Sequence, residues 1–164
     1  MTKITILEAL AKTSPTPIAL VCSNTPEGKT NIATVAWWTY LENEPPMIGF
    51  SMWKGSYSSE LISSTGEAAV SLPGEAISDE SMKCGTISGR EIDKVSAYNI
   101  ELTDIDTPVK FPVHSRVTFA CKVDRIIDIE SCNFFVCKVT DIYYNENEKH
   151  LYTMLGEPNL TTVY

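Results

Sequence analysis

The stretch that most constrains the fold is residues 116–124, where Val117, Phe119, Cys121 and Val123 alternate with Arg116, Thr118, Lys122 and Asp124. A period of two turns successive side chains to opposite faces, so this is a half-buried antiparallel strand. Cys132 to Tyr144 reads as its hairpin partner. Upstream, Ile18 to Cys22 is a continuous apolar strand, Asn24 to Gly28 a turn, and Thr30 to Leu41 one long returning strand rich in β-branched and aromatic residues. Met47 to Trp53 makes a third strand, Glu67 to Leu72 is extended, and Leu151 to Leu155 adds a last edge. Helical spacing is confined to short pieces. Ile4 to Ala11 places Ile4, Leu7 and Leu10 on one side, and Tyr57 to Ser64 forms a second helix. Two more short helices fit between Gly74 and Asn99, one capped by Ser88 with Glu91 as its box residue. Many short strands with brief helical inserts predict a mainly β fold, an antiparallel barrel closed or partly closed.

A chain of 164 residues with 43% hydrophobic content supports one well-buried core and one domain. Its 21 acidic residues against 13 basic ones give a net charge of -8, which disfavours nucleic acid or an anionic membrane as partner. An anionic ligand then requires locally gathered cations. The N-terminus lacks a basic-then-apolar layout and no apolar run approaches the roughly 20 residues that cross a bilayer, so a cytoplasmic location is expected. Cys22, Cys84, Cys121, Cys132 and Cys137 form no CxxC pair and read as reduced, mostly buried thiols, with a Cys121–Cys137 cross-strand pairing left open. His114 and His150 have no ligand-like spacing, so no metal is expected.

Residues 31–58 gather different chemistry. Trp37, Trp38 and Trp53 offer flat apolar surface, while Lys54, Ser56, Tyr57 and Ser58 offer a cation and hydroxyls at the start of the helix that Glu60-Leu61-Ile62 continues. A flavin mononucleotide needs this combination: an apolar wall for its ring, backbone donors along its polar edge, and amides, hydroxyls and a cation for its phosphate. Trp37 and Trp38 must face opposite sides of a strand, so at most one lies on such a ring. Singly, each residue has an ordinary role: core packing for the tryptophans, a solvated charge for Lys54, helix capping for Ser56 to Ser59, an idle thiol for Cys84, and a surface ion pair for Asp93 with Lys94.

The strings Pro17-Ile-Ala-Leu-Val21, Asn31-Ile-Ala-Thr-Val-Ala-Trp-Trp38, Pro45-Pro-Met-Ile-Gly-Phe-Ser51 and Cys84-Gly-Thr-Ile-Ser-Gly-Arg-Glu-Ile-Asp-Lys94 carry a family resemblance. In order and gap length, from Pro15 to Tyr144, the chain resembles the flavin reductase-like, flavoredoxin-type family. The resemblance implies an FMN-binding split β-barrel, antiparallel and of Greek-key type, with short peripheral helices. It also implies a homodimer with FMN near the subunit interface. Carried over by position, it places Asn31, Ala33, Thr34, Val35, Ala36 and Trp37 along the flavin, continued by Ser51, Trp53 and Lys54. Tyr57 and Ser58 fall where relatives put a hydroxyl on the ribityl or phosphate chain. Cys84 and Ser88 are contacts, and Lys94 approaches either the ring's N1 and C2 carbonyl edge or the phosphate. The chain departs from the family at Glu130-Ser-Cys-Asn133, where relatives often carry Gly-Asp-His, and in its short segment 155–164.

The flavin carries the electron chemistry, so no catalytic side chain is assigned. The leading expectation is an oxidoreductase moving electrons from NAD(P)H through FMN to an acceptor. The lack of a GxGxxG fingerprint suits a nicotinamide that stacks transiently on the ring. The alternative is an electron-transfer protein that keeps its FMN, uses no nicotinamide, and docks its acidic surface on a redox protein. A flavin-binding module without turnover is a third.

Overall fold

The computed structural model describes residues 1–153 together with the backbone of residues 160–162. The chain opens with α1 (Ile6–Lys12), capped by Thr5, whose hydroxyl accepts from the Glu8 amide while the Glu8 carboxylate answers the Thr5 amide. That capping box starts the helix two residues later than the apolar spacing predicts, and α1 buries none of its side chains. The strands that follow are β1 (Thr16–Pro17), β2 (Ala19–Asn24), β3 (Thr30–Val35), β4 (Trp38–Asn43) and β5 (Pro46–Trp53). Next come α2 (Tyr57–Thr65), β6 (Glu67–Pro73), a 3-10 turn (Glu75–Ile77), α3 (Ser78–Cys84) and α4 (Lys94–Ala97). The long ribbon of β7 (Ser115–Ile129) and β8 (Cys132–Tyr144) precedes β9 (Leu151–Thr153) and β10 (Leu160–Thr162).

One sheet has seven strands in the order β3-β2-β6-β7-β8-β5-β4, with every pairing antiparallel. Its edges, β3 and β4, are consecutive in sequence and only Ala36 and Trp37 link them. The sheet must therefore curl until its edges nearly meet, which makes a barrel split along that seam. The single strand expected over Thr30 to Leu41 is thus two strands. The chain turns at Ala36-Trp37 because β3 already pairs with β2, while the Trp37 carbonyl accepts from the Ser51 amide at 2.9 Å and hands the chain to β5. A separate sheet, β1-β9-β10, lies beside the barrel. The expected last edge over Leu151 to Leu155 begins it, and residues 154 and 155 lie outside the described residues.

The barrel interior is one apolar cluster in which Phe50 and Phe135 stack at 5.2 Å between Val21, Val70 and Phe119. A second cluster lies on the outer face of β2 and β6, where Leu20, Cys22 and Ala69 are covered by Ile77, Cys84, Ile100 and Phe111 from the connection between β6 and β7. With both faces covered, β2 reads as a continuous apolar run. For the same reason β7 is not simply half-buried at its start: Thr118 points away from the interior yet is buried, hydrogen-bonded to Ser71 at 2.9 Å. Ser88 does not begin a helix. Its carbonyl accepts from the Glu91 amide in a turn, and Asp93 caps α4 through the Ser96 amide. All five cysteines are free thiols. Cys121 faces Val139 and Cys137 faces Val123, so the cross-strand pairing left open by the sequence is not made. Among the described residues, no helix is long and apolar enough to cross a membrane.

Candidate functional site

At the seam, a cleft of about 620 Å³ opens between the end of β3 and the end of β5. Residues 33–37 form one side and residues 51–53 the other; the start of α2 and the 84–89 loop close it. A second cleft of about 520 Å³ adjoins it, and the two share Tyr57, Gly89 and Lys94. Both volumes fall within the roughly 300–1,000 Å³ of small-molecule sites.

Local contacts fix this geometry. The Thr34 hydroxyl donates to the Ser81 carbonyl, tying β3 to α3. Asn31 is buried and donates to the Ser58 hydroxyl at 2.7 Å, joining β3 to α2. The 88–89 loop passes directly over this pair: a Cβ on Gly89 would sit 1.9 Å from the Asn31 side-chain oxygen and 3.1 Å from the Tyr57 ring. Only glycine allows that approach. Ser56 caps α2 by accepting from the Ser59 amide, and Gly66 ends the helix in the left-handed conformation at φ 71°.

Lys94 lies at the junction of the two clefts. It is 5% exposed and donates to the carbonyls of Ile32 at 2.7 Å and Cys84 at 2.6 Å. Burial holds its ammonium below the usual lysine range. Among the described residues no carboxylate pairs with it. Asp93 pairs instead with Lys29 at 2.9 Å, so the surface Asp93–Lys94 pair is not formed. A buried cation with two carbonyl acceptors and no counter-charge is poised for an anionic or electron-rich partner. Beside it, burial pushes the Cys84 thiol up to about 11, partly offset by the Lys94 charge. Cys84 is therefore a protonated thiol at neutral pH and offers its carbonyl to the site.

Trp37 and Trp53 are more than half exposed and line the larger cleft. Trp38 packs against the barrel interior and donates its indole N–H to Pro17, as alternation requires. Of the residues singled out in the sequence, Ala33, Thr34, Val35, Ala36, Trp37 and Ser51 line the larger cleft, with Trp53, Tyr57, Ser58, Cys84, Ser88 and Lys94. Asn31 lines the smaller. Lys54 lines neither: its ammonium is 2.8 Å from the Asp128 carboxylate and 2.5 Å from the Glu130 carbonyl. The β7–β8 turn, brought beside the end of β5 by the pairing of Trp53 with Cys132, draws this lysine away from the cleft. Sequence reasoning missed Arg90, whose guanidinium pairs with Glu60, donates to the Gly55 carbonyl at 3.3 Å and lies 5.0 Å over the Tyr57 ring. It also missed Cys132, which lines the larger cleft. The only signal for Arg90 was its place inside the Ser88-Gly-Arg motif.

The site is thus a split-barrel cleft walled by Trp37 and Trp53, with a buried lysine at its junction with the smaller cleft that pairs with no carboxylate among the described residues. The chain belongs to the flavin reductase like domain family, which matches it over residues 11–157. It is 34% identical over 70 residues to the Escherichia coli protein YddH, a match spanning 43% of this chain and only 37% of that protein. Among solved structures, the flavoredoxin of Methanosarcina acetivorans superposes with a TM-score of 0.85 at 21% identity, covering 100% of this chain and 91% of that one. The FMN-binding protein of Thermus thermophilus, solved with bound p-hydroxybenzaldehyde, gives a TM-score of 0.84 at 19% identity, covering 99% and 94%. These likenesses establish the split-barrel fold, and the family is one of flavin-binding oxidoreductases.

Proposed function

We propose that the chain binds FMN in the larger cleft and works as an oxidoreductase, passing electrons from NAD(P)H to an acceptor. The single observation that carries this reading is Lys94: a buried ammonium, without a carboxylate partner among the described residues, where an apolar cleft meets a polar one. FMN, when bound, supplies the chemistry of accepting a hydride and releasing its electrons to a second molecule. The protein's residues bind, orient and shield. Trp37 and Trp53 flank the mouth with apolar surface that excludes water, and Ala33 to Ala36 run backbone groups along one wall. Tyr57 and Ser58 supply hydroxyls, with Ser58 held in place by Asn31. Lys94 stabilises negative charge on whatever polar edge or phosphate it faces. The working unit is a homodimer, supported by apolar side chains left exposed on the β7–β8 ribbon at Ile126, Ile127 and Ile129. Free thiols throughout suit a reducing compartment such as the cytoplasm.

The excess of acidic residues, 21 against 13, and the likeness to a flavoredoxin favour a second reading, an electron carrier that docks a basic redox protein and uses no nicotinamide. Anaerobic titration separates the two. Rapid bleaching of the bound flavin's visible band by NADH or NADPH is the expected result; bleaching only by dithionite selects the carrier. Failure to take up FMN at all refutes both.

A further inference from the structure

We propose that Lys94 is a covalent capture site for planar aldehydes, which form an imine at its Nζ and thereby compete with any other ligand of the larger cleft. Among the described residues it is the only buried lysine, and it is the only charged residue lining that cleft. The bonding at its nitrogen carries the inference. Nζ gives two N–H donors to the Ile32 and Cys84 carbonyls, at 2.7 and 2.6 Å. An ammonium has a third N–H still to place. A neutral amine satisfies both carbonyls with its two hydrogens and keeps its lone pair in the fourth tetrahedral position. With two directions taken by backbone, what remains of this side chain's surface faces the clefts it lines. Burial favours the same neutral form, and a desolvated lysine amine is the nucleophile of Schiff-base chemistry.

The other lysines are held differently. Lys29 pairs with Asp93, which raises its affinity for the proton. Lys54 and Lys138 contact Asp128 and Asp124. Lys110 is the nearest analogue, since its Nζ also donates to two carbonyls, those of Asp104 and Ile105, but it does so on an exposed loop outside both clefts. The larger cleft also selects by shape. Ala33, Ala36, Gly85 and Gly89 line it with little or no side chain, and the exposed indoles of Trp37 and Trp53 offer flat apolar surface to a ring. In the reaction the Nζ lone pair bonds to the carbonyl carbon, and the C–O π pair moves to oxygen, which gains a proton as nitrogen loses one. Loss of water then forms C=N, with no change of oxidation state. The protonated imine keeps one N–H for one of the two carbonyls.

The capture does not depend on the flavin reading of this cleft, and one experiment tests both. Protein freed of ligand by dialysis, and protein saturated with FMN, are each treated with 2-naphthaldehyde and sodium cyanoborohydride, whose hydride fixes each imine as a secondary amine. Mass spectrometry of the peptides then ranks the lysines by rate of labelling. Lys94 is expected to be labelled before Lys110 and every surface lysine in the dialysed protein, and to lose that lead in urea. Pivalaldehyde, which is not planar, is expected to label the surface lysines first. Saturating FMN is expected to abolish the label at Lys94 and leave the others unchanged. Labelling of Lys94 no faster than Lys110 overturns the inference, and equal preference for both aldehydes overturns its planar selectivity. If FMN binds and Lys94 still labels at the same rate, the competition is overturned. If Lys94 labels first but the protein takes up no FMN, the flavin reading fails and the capture site stands.

Discussion

At Lys94 the chain holds a cation where its own fold disfavours one. Two backbone carbonyls solvate the ammonium, and desolvation still lowers its affinity for a proton. An anionic ligand in either cleft reverses that balance, because it stabilises the protonated form. The sign follows. Below the depressed folded pKa the lysine is charged and attracts the ligand; as pH rises through it the charge is lost and affinity falls. FMN dissociation constants are therefore expected to rise from neutral into alkaline pH in the wild type and to stay flat in K94M. K94M also leaves the Ile32 and Cys84 carbonyls without this donor, at a cost of about 1–3 kcal/mol to the ligand-free fold. Denaturant unfolding of ligand-free protein checks that value independently of flavin. An FMN affinity in K94M equal to wild type across the range would remove Lys94 from the site.

The three-stranded sheet that flanks the barrel meets it through the Gly74–His150 bridge and the bond from the Trp38 indole to the Pro17 carbonyl. β1 and β9 pair only at Thr16 with Thr153 and Pro17 with Tyr152. His150 ties the end of β9 to the barrel, with its Nε2 2.9 Å from the Ile18 carbonyl. A carbonyl only accepts, so this nitrogen is the protonated one in the neutral ring. His114 and Glu148 add a contact at 2.7 Å beside it. Burial lowers the His150 pKa, so the folded chain keeps a neutral ring where the unfolded chain, titrating near 6.5, takes a proton. Stability from this group is intact above about pH 6.5 and is lost as pH falls through the interval down to the folded pKa. Protection factors at Thr16, Ile18 and residues 151–153, taken against the intrinsic exchange rate at each pH, are expected to fall at pH 5 relative to pH 7, while those of β6 and β7 hold. Uniform change across both sheets would count against a separate docking step. These elements also mark what a sequence reading can reach. β8 and α2 were legible because period and capping are local. Splitting Thr30 to Leu41 at Ala36 was not, because it depends on which partner each half finds across the barrel. Likewise Ala33 to Trp37 could be read as a wall from one string, whereas Asp128 claiming Lys54, and Arg90 reaching Gly55, are contacts over distances of 74 and 35 residues.

Across the whole molecule, the chain buries four thiols and keeps them all reduced. Desolvation raises each of them: Cys84 to about 11, Cys137 to about 12, and Cys22 and Cys121 higher still. In the unfolded chain the same thiols ionise near pH 8.5. The folded state therefore retains protons that the unfolded state releases, and its stability falls as pH rises above about 8.5, continuing until each folded pKa is reached. Each thiol contributes a slope of about 1.4 kcal/mol per pH unit. The four together approach about 5 kcal/mol per unit, against a total of roughly 5–15 kcal/mol for a domain. Lys94 acts in the opposite sense between its depressed folded pKa and the ordinary lysine value near 10.4, and within that interval offsets about one of them. Urea unfolding at pH 8, 9 and 10 is expected to show a steep alkaline loss. C137A is less stable at pH 8 through its lost packing, but its slope above pH 9 is expected to be shallower by about 1.4 kcal/mol per unit. A slope identical to wild type would mean that this thiol titrates freely in the folded protein, and the packing of β8 against Phe50 and Ile48 would then have to be looser than the buried barrel interior requires.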